Sequence, residues 1–183
     1  QIRGNYIGTN AAGTAAVGNA NQGVWINAVG NTVGGTAAGQ GNVISGTLNW
    51  VGLELGSAAS GTLIAGNLIG LNAAGTSALG NAGGGVVIAS ANNTIGGTAA
   101  GAGNVIAGNS DGVQIQFSST GNVVQGNWIG TNAAGTATLG NRDNGVEVSN
   151  NAFGNTIGGA AAGAGNVIAG NAARGVFVTG SNT

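Results

Sequence analysis

Few side chains in this sequence are suited to acid–base, nucleophilic or metal chemistry. The acids are Glu54, Asp111, Asp143 and Glu147, the basic side chains are Arg3, Arg142 and Arg174, and His and Cys are absent. Glu54 and Glu147 occupy equivalent positions of a repeat but lie three units apart, roughly 14 Å at the strand spacing of a sheet, which is too far for a carboxylate pair. No base stands beside the Ser and Thr hydroxyls to activate them. We therefore expect no enzymatic activity, no metal site and no cofactor.

Composition excludes other classes of protein. Three Arg side chains cannot form the basic patch that binding to nucleic acid requires, and no apolar run approaches the roughly 18 residues of a membrane span. The chain has 41 Gly among 183 residues and no Pro or Cys, which disfavours helices, collagen and disulfide scaffolds. The large apolar residues recur at a fixed phase, which indicates ordered repeats rather than disorder.

Two long sequence blocks recur three times each. GNYIGTNAAGTAAVGN begins at Gly4, and its relatives begin at Gly66 and Gly126, with spacings of 62 and 60. NTVGGTAAGQGNVISG begins at Asn31, and its relatives begin at Asn93 and Asn155, again 62 apart. Such periodicity is typical of a solenoid. We interpret residues 1–183 as a single domain made of three repeats of about 61 residues.

A shorter period lies inside each repeat. Gly followed by two apolar residues with one variable residue between them occurs six times, beginning at Gly23, Gly52, Gly85, Gly112, Gly145 and Gly175. Period-two alternation predicts strands that point alternate side chains inward. The predicted inward residues are Val24, Ile26, Leu53, Leu55, Val86, Ile88, Val113, Ile115, Val146, Val148, Val176 and Val178. Two further short apolar strands per unit predict three sheets. The fold class is therefore all-β, a parallel β-helix of about six coils with three short strands per coil.

The two kinds of unit carry their extra residues at different corners. Gly96 to Gly103 joins the second and third strands in one kind, and Thr131 to Asn141 follows the third strand in the other, so we expect two ridges of small residues. Asn recurs at equivalent corners, namely Asn5, Asn42, Asn67, Asn104, Asn127 and Asn166. Either each amide satisfies its own turn, or the amides bond along the axis in ladders. We favour ladders, because turn chemistry alone would accept Asp, Ser or Gly equally well.

Outward aromatic residues are the candidate surface contacts. Tyr6 and Trp128 share one repeat position with Leu68 between them, and Trp25 and Phe177 share another. These rings suit either a sugar-binding platform or a contact between molecules, and exposed apolar stripes commonly mark association surfaces.

The runs NTIGG, GNVIAGN and GNWIGTNAAGTATLGN resemble the right-handed parallel β-helix repeat proteins of bacterial surfaces and secretions, across essentially the whole chain. The resemblance implies an extracellular or cell-surface location, and the right-handed coil follows from it and from the general rule for parallel crossovers. Such families often carry Asp where this chain has Asn10, Asn72 and Asn132, so we expect no cation site in this loop.

The two ends of the sequence are complementary. Joining GVFVTGSNT to QIRGNYIG gives a unit close to GVQIQFSSTGNVVQGNWIG, and closing the chain on itself gives a block spacing of 61. No polar cap is evident, although solenoids normally need one. These features predict head-to-tail self-assembly through Gln1, Ile2, Arg3, Gly4, Val176, Val178, Gly180, Ser181, Asn182 and Thr183. The alternative at this stage is a piece of a longer array.

The predicted function is thus structural: a subunit of an extracellular bacterial filament whose partners are copies of itself, with neither nucleic acid nor a membrane span involved. A carbohydrate-binding or adhesive module of a larger surface protein is the alternative. A third hypothesis is an ice-binding solenoid, for which Thr32, Thr94 and Thr156 offer only a thin row.

Overall fold

The computed structural model describes residues 1–180 and contains 17 short β-strands and no helix in that range. Sheet 1 consists of β2 (Val24–Ile26), β5 (Leu53–Leu55), β8 (Val86–Ile88), β11 (Val113–Ile115), β14 (Val146–Val148) and β17 (Val176–Val178). Sheet 2 consists of β3 (Thr32–Gly34), β6 (Leu63–Ala65), β9 (Thr94–Gly96), β12 (Val123–Gln125) and β15 (Thr156–Ile157). Sheet 3 consists of β1 (Tyr6–Ile7), β4 (Val43–Ile44), β7 (Leu68–Ile69), β10 (Val105–Ile106), β13 (Trp128–Ile129) and β16 (Val167–Ile168).

The chain visits sheets 1, 2 and 3 in turn, and each strand pairs in parallel with its equivalent one coil away. This arrangement is a right-handed parallel β-solenoid, which confirms the predicted fold class and the three strands per coil. The predicted number of about six coils is corrected to five complete coils, which begin at β2, β5, β8, β11 and β14. The remaining strands form two partial coils at opposite ends: β1 stands before the first complete coil, and β17 follows the last.

The core is the column of inward side chains. Most of the predicted inward residues of sheet 1 are buried, from Val24 and Ile26 in β2 to Val146 and Val148 in β14. Ile and Val from sheets 2 and 3 complete the same cluster. Val176 and Val178 of β17 are instead 45% and 53% exposed, because no further strand of residues 1–180 lies beyond β17.

Both predicted ridges are present, because the loops at Gly96 to Gly103 and at Thr131 to Asn141 each stack on the equivalent loop two coils away. The longer loops follow β1, β7 and β13, so they occur on every second coil. They nevertheless contact one another, because Ala73 N donates to Gly13 O and Ala133 N donates to Gly75 O, both at 2.9 Å. The described residues contain no helix with the length and hydrophobicity of a membrane span.

Candidate functional site

The corner before sheet 3 contains a single ladder of asparagines that runs the length of the solenoid. The six predicted residues follow one another in the order Asn5, Asn42, Asn67, Asn104, Asn127 and Asn166, and each Nδ2 donates to the Oδ1 of the next at 2.9 to 3.0 Å. The backbone N of each donor residue bonds the same Oδ1. The ladder hypothesis is confirmed, and both kinds of coil contribute to one ladder.

Two more ladders were missed by sequence reasoning. One joins Asn81, Asn109, Asn141 and Asn171 at the corner before sheet 1, and the other joins Asn93, Asn122 and Asn155 at the corner before sheet 2. Their signal was available as the recurrence of Asn at the same phase of successive units, with Thr47 and Thr62 at this phase in one unit. Thr47 and Thr62 donate a backbone N–H to the first Asn of each ladder, and the buried Thr47 hydroxyl has no partner among the described residues.

The main ladder has a direction. Every side-chain N–H between Asn residues points toward the C-terminal end of the solenoid. At the N-terminal end, Asn5 Oδ1 accepts no hydrogen bond from residues 1–180. At the C-terminal end, Asn166 Nδ2 donates to Val124 O at 2.8 Å, and within the same range it donates no second bond of the kind that the interior members make. One end of the ladder therefore presents an acceptor and the other a donor.

Gly41, Gly103 and Gly165 occupy one repeat position and form a column, and the space around them shows how closely the coils approach one another. A Cβ atom on Gly41 or Gly103 would lie 2.0 Å from the carbonyl oxygen of Gly66 or Gly126 in the next coil. Gly165 is the third member of this column, and a Cβ atom there would meet no described atom within 4 Å. The sites of Gly41 and Gly103 accept only Gly because the next coil is stacked on them, whereas Gly165 lies in the last complete coil.

The structure places the predicted self-assembly residues at the two ends. At the N-terminal end, Ile2 forms a parallel bridge with Val33, Arg3 Nε donates to Gly34 O at 3.1 Å, and Gly4 N donates to Gln40 O at 3.1 Å. Gln1 is exposed beside them. At the C-terminal end, Val176 and Val178 form the outer strand of sheet 1 and Gly180 follows it. The predicted residues Ser181, Asn182 and Thr183 lie outside the described residues.

The four candidate contact aromatics do not form a continuous platform. Tyr6, Leu68 and Trp128 share one outward column of sheet 3, with Val43 and Val105 between them. Trp128 is half-buried under its own ridge loop, where Gly135 touches its ring so closely that a Cβ atom would overlap it.

The other two aromatics stand at opposite ends of the outward column of sheet 1. Trp25 pairs with Glu54 at the N-terminal end, and Phe177 pairs with Glu147 at the C-terminal end. Arg174 lies over the Phe177 ring, 4.4 Å from its centroid. These two rings therefore cannot act on one small ligand together.

Other columns are interrupted as well. The row of Thr32, Thr94 and Thr156 alternates with Leu63 and Val123 in sheet 2. A regular face of Thr is therefore not formed, which removes the feature that the ice-binding hypothesis requires.

The acids are spread along sheet 1. Glu54 and Glu147 lie three strand steps apart in the outward column, as predicted. Burial raises the pKa of Asp111 above its ordinary value of 3.8, and the hydrogen bonds from Asn144 oppose this rise only in part. No group of three or more potential metal ligands is found in the part of the chain that the structure describes.

The loop in which related repeats often carry Asp satisfies itself. Asn132 Oδ1 accepts hydrogen bonds from Thr136 N at 2.9 Å and Ala137 N at 3.2 Å, and Asn10 and Asn72 make the same bonds in their own loops. These side-chain amides therefore stabilise the turns of their own loops.

The fold and the three ladders define a class of protein: a right-handed parallel β-solenoid built from double-coil repeats whose corners are bonded by stacked asparagines. No model of a protein family, no curated protein and no solved structure matches this chain.

Proposed function

We propose that this chain is a structural subunit of an extracellular bacterial filament, assembled head to tail by continued stacking of the solenoid. The observation that carries the proposal is the match between the two partial coils. β17 supplies a sheet 1 strand at one end, and Ile2 with β1 supplies the sheet 2 and sheet 3 positions at the other. Together, the two partial coils supply the three strand positions of one complete coil. The extracellular bacterial setting rests on the resemblance of the repeat.

Hydrogen bonding across such a junction would continue the interior pattern. Asn166 Nδ2 and its backbone N–H would donate to Asn5 Oδ1 of the next copy, as Asn104 does to Asn127. The ridges support the same register, because the longer loops occupy every second coil and the six ladder positions are an even number. A second copy that stacks on β16 through its own β1 therefore keeps the alternation.

Apolar surface supports the same junction. Val167, Val176 and Val178 are 43%, 45% and 53% exposed at the C-terminal end, although the equivalent valines of β10, β11 and β14 are buried. Covering apolar area stabilises association by about 25 cal/mol per Å² before the entropy of association is subtracted. Because the two faces differ, the contact is heterologous, and because they lie at opposite ends of the stack of coils, it extends along the axis into a filament. Either face accepts a coil of this repeat, whether from a second copy or from adjoining repeats of a longer polypeptide.

Gly165 provides the test. We expect Gly165→Ala to fold as the wild-type chain does, since no described atom lies near its Cβ position, and to prevent stacking, since Gly4 O of the next copy would lie where Gly66 O and Gly126 O meet the equivalent glycines. Ala100→Ser, on an exposed loop tip in mid-molecule, is the matched control. Analytical ultracentrifugation and electron microscopy measure assembly, and circular dichroism checks the fold.

The expected result is fibres for wild type and Ala100→Ser, with an axial repeat of roughly 29 Å for six strand spacings. Gly165→Ala should remain a folded monomer. A monodisperse wild-type monomer at high concentration contradicts the proposal, and so do fibres of Gly165→Ala that are indistinguishable from wild type.

A further inference from the structure

A groove of about 420 Å³ crosses the outward face of sheet 1, away from both ends of the solenoid. Its floor is Val87, which points outward yet is only 8% exposed. Trp50 stands at one edge of the groove, before β5, and Phe117 stands at the opposite edge, after β11. Along the axis the two rings are two strand steps apart, roughly 10 Å, and they also stand at opposite ends of the strands of sheet 1. The groove is therefore an elongated site with an aromatic ring at each end.

Trp50 is held in place while its ring stays accessible. Its Nε1 donates to Glu54 Oε2 at 3.2 Å, and the same oxygen accepts a hydrogen bond from Gln22 at 2.7 Å. The indole is nevertheless 55% exposed. An aromatic ring that is oriented by a hydrogen bond and still open to solvent is ready to stack on a ligand without losing side-chain freedom on binding.

Phe117 is an unfavourable residue for its position. It has a φ of 58° and is 63% exposed, although bulky side chains rarely adopt the left-handed region. The equivalent residue of the next coil is Asn150, with a φ of 53°, which suits that conformation. Folding alone does not favour Phe here. Strain of this kind clusters at binding sites.

The polar groups of the groove are of two kinds. Both carboxylate oxygens of Asp111 are hydrogen-bonded within the protein: Oδ1 accepts from Asn144, and Oδ2 accepts from Gln114 at 3.1 Å. Three other polar groups of the groove form no hydrogen bond within residues 1–180: Gln114 Oε1, the Ser110 hydroxyl and the side-chain amide of Asn49. Amides and hydroxyls donate and accept equally well. The ionisable side chains that line the groove are Glu54 and Asp111, and no Lys or Arg lines it, so nothing there favours an anionic ligand.

We propose that this groove binds a neutral oligosaccharide. The apolar C–H faces of the sugar rings stack on Trp50 and Phe117, and the sugar hydroxyls bond Gln114, Ser110 and Asn49. A ligand of this shape suits an elongated groove with flat apolar ends, an apolar floor at Val87 and polar side chains beside the floor that donate and accept. This site does not include the four aromatic residues that the repeat pattern indicated, because neither Trp50 nor Phe117 recurs at its position in the other units.

Phe117→Asn and Trp50→Ala test the site, with Trp25→Ala as the matched control. Asn at position 117 reproduces the turn residue of the next coil, so this variant should fold at least as well as wild type. Trp25 is an equally exposed aromatic on the same sheet, outside the groove. All measurements use the Gly165→Ala background, so that binding is measured independently of stacking; if that variant still assembles, binding is measured on the assembly.

The probes are neutral gluco-, manno- and galacto-oligosaccharides on an array, followed by calorimetric titration of the tightest binder, with trigalacturonate and spermidine as anionic and cationic probes. We expect one or more neutral sugars to bind the parent and Trp25→Ala alike, with affinity reduced at least about tenfold in Phe117→Asn and in Trp50→Ala. Binding of spermidine or trigalacturonate alone overturns the proposal. Absence of any neutral binder, or equal loss of binding in Trp25→Ala, also overturns it.

Discussion

At the residue scale, the corners of this solenoid require a side chain that donates and accepts at once. Asn104 shows the requirement: its Oδ1 accepts from the backbone and side chain of Asn67, while its Nδ2 donates to Asn127 and to Ile64 O at 2.8 Å. Asp has no side-chain donor when ionised, and Ser is too short to serve two partners at different levels. The ladders therefore explain why these corners hold Asn in place of Asp or Ser.

Removing an interior member of the main ladder should destabilise the fold strongly. Asn104→Ala leaves the buried N–H groups of Asn67 without an acceptor, and we expect the free energy of unfolding to fall by about 3 kcal/mol. Asn5→Ala is the matched control, because Asn5 lies in the same ladder but is exposed to water, and its cost should be about 1 kcal/mol or less. Urea unfolding followed by circular dichroism, at concentrations where the chain is monomeric, measures both. Equal costs would contradict a cooperative buried ladder.

Asp111 should give the fold a characteristic pH dependence. Burial raises its pKa in the folded state above 3.8, so the folded chain holds this proton to higher pH than the unfolded chain does. The contribution of protonated Asp111 to the free energy of unfolding is therefore fully present below pH 3.8, and it is lost as the pH rises through the folded-state pKa. Asp111→Asn should remove that decrease. The measurement is the free energy of unfolding of both proteins from below pH 3.8 to neutral pH, and parallel curves would count against the assignment.

At the scale of the elements, the strands are only two or three residues long and cannot be stable alone. They persist because each interior strand pairs with equivalents on both sides, while the corners are bonded by the ladders and the long loops stack on one another. Close stacking leaves no room for side chains at certain corner positions, and those positions hold Gly.

One pair of substitutions distinguishes the cost of a clash with the next coil from the cost of a change in local backbone conformation. Gly103→Ala places a Cβ atom 2.0 Å from Gly126 O, and we expect a loss of about 3 kcal/mol, since overpacking against backbone is not easily relieved. Gly165→Ala makes the same chemical change at the same position of the repeat, without the neighbour, and should cost close to nothing in the monomer. Thermal or urea unfolding compares the two. A similar loss in both variants would show that local conformation, not the next coil, selects Gly here.

At the scale of the whole molecule, the solenoid is a short rod whose two ends present different faces. The N-terminal face presents Asn5 Oδ1, and the C-terminal face presents the Asn166 donors and exposed valines. Near-neutral charge, with a formal value of -1, leaves little repulsion between copies. The groove at Trp50 and Phe117 lies on the side of the rod, so stacking would repeat it along a filament and allow multivalent binding.

The sequence by itself determined the periodic features of this protein. The inward residues of β2 through β14, the three sheets, the two ridges and the six ladder residues before sheet 3 were all predicted, because each recurs at a constant phase and equivalent residues of a solenoid must stack. Tertiary structure decided the features that do not recur. Only the folded chain shows that Trp128 lies beneath its own loop, that Trp50 and Phe117 face one groove across two strand steps, and that the ladder of Asn5 through Asn166 has a direction. These depend on how particular loops and amides orient against their neighbours, and repeat spacing carries no information about orientation.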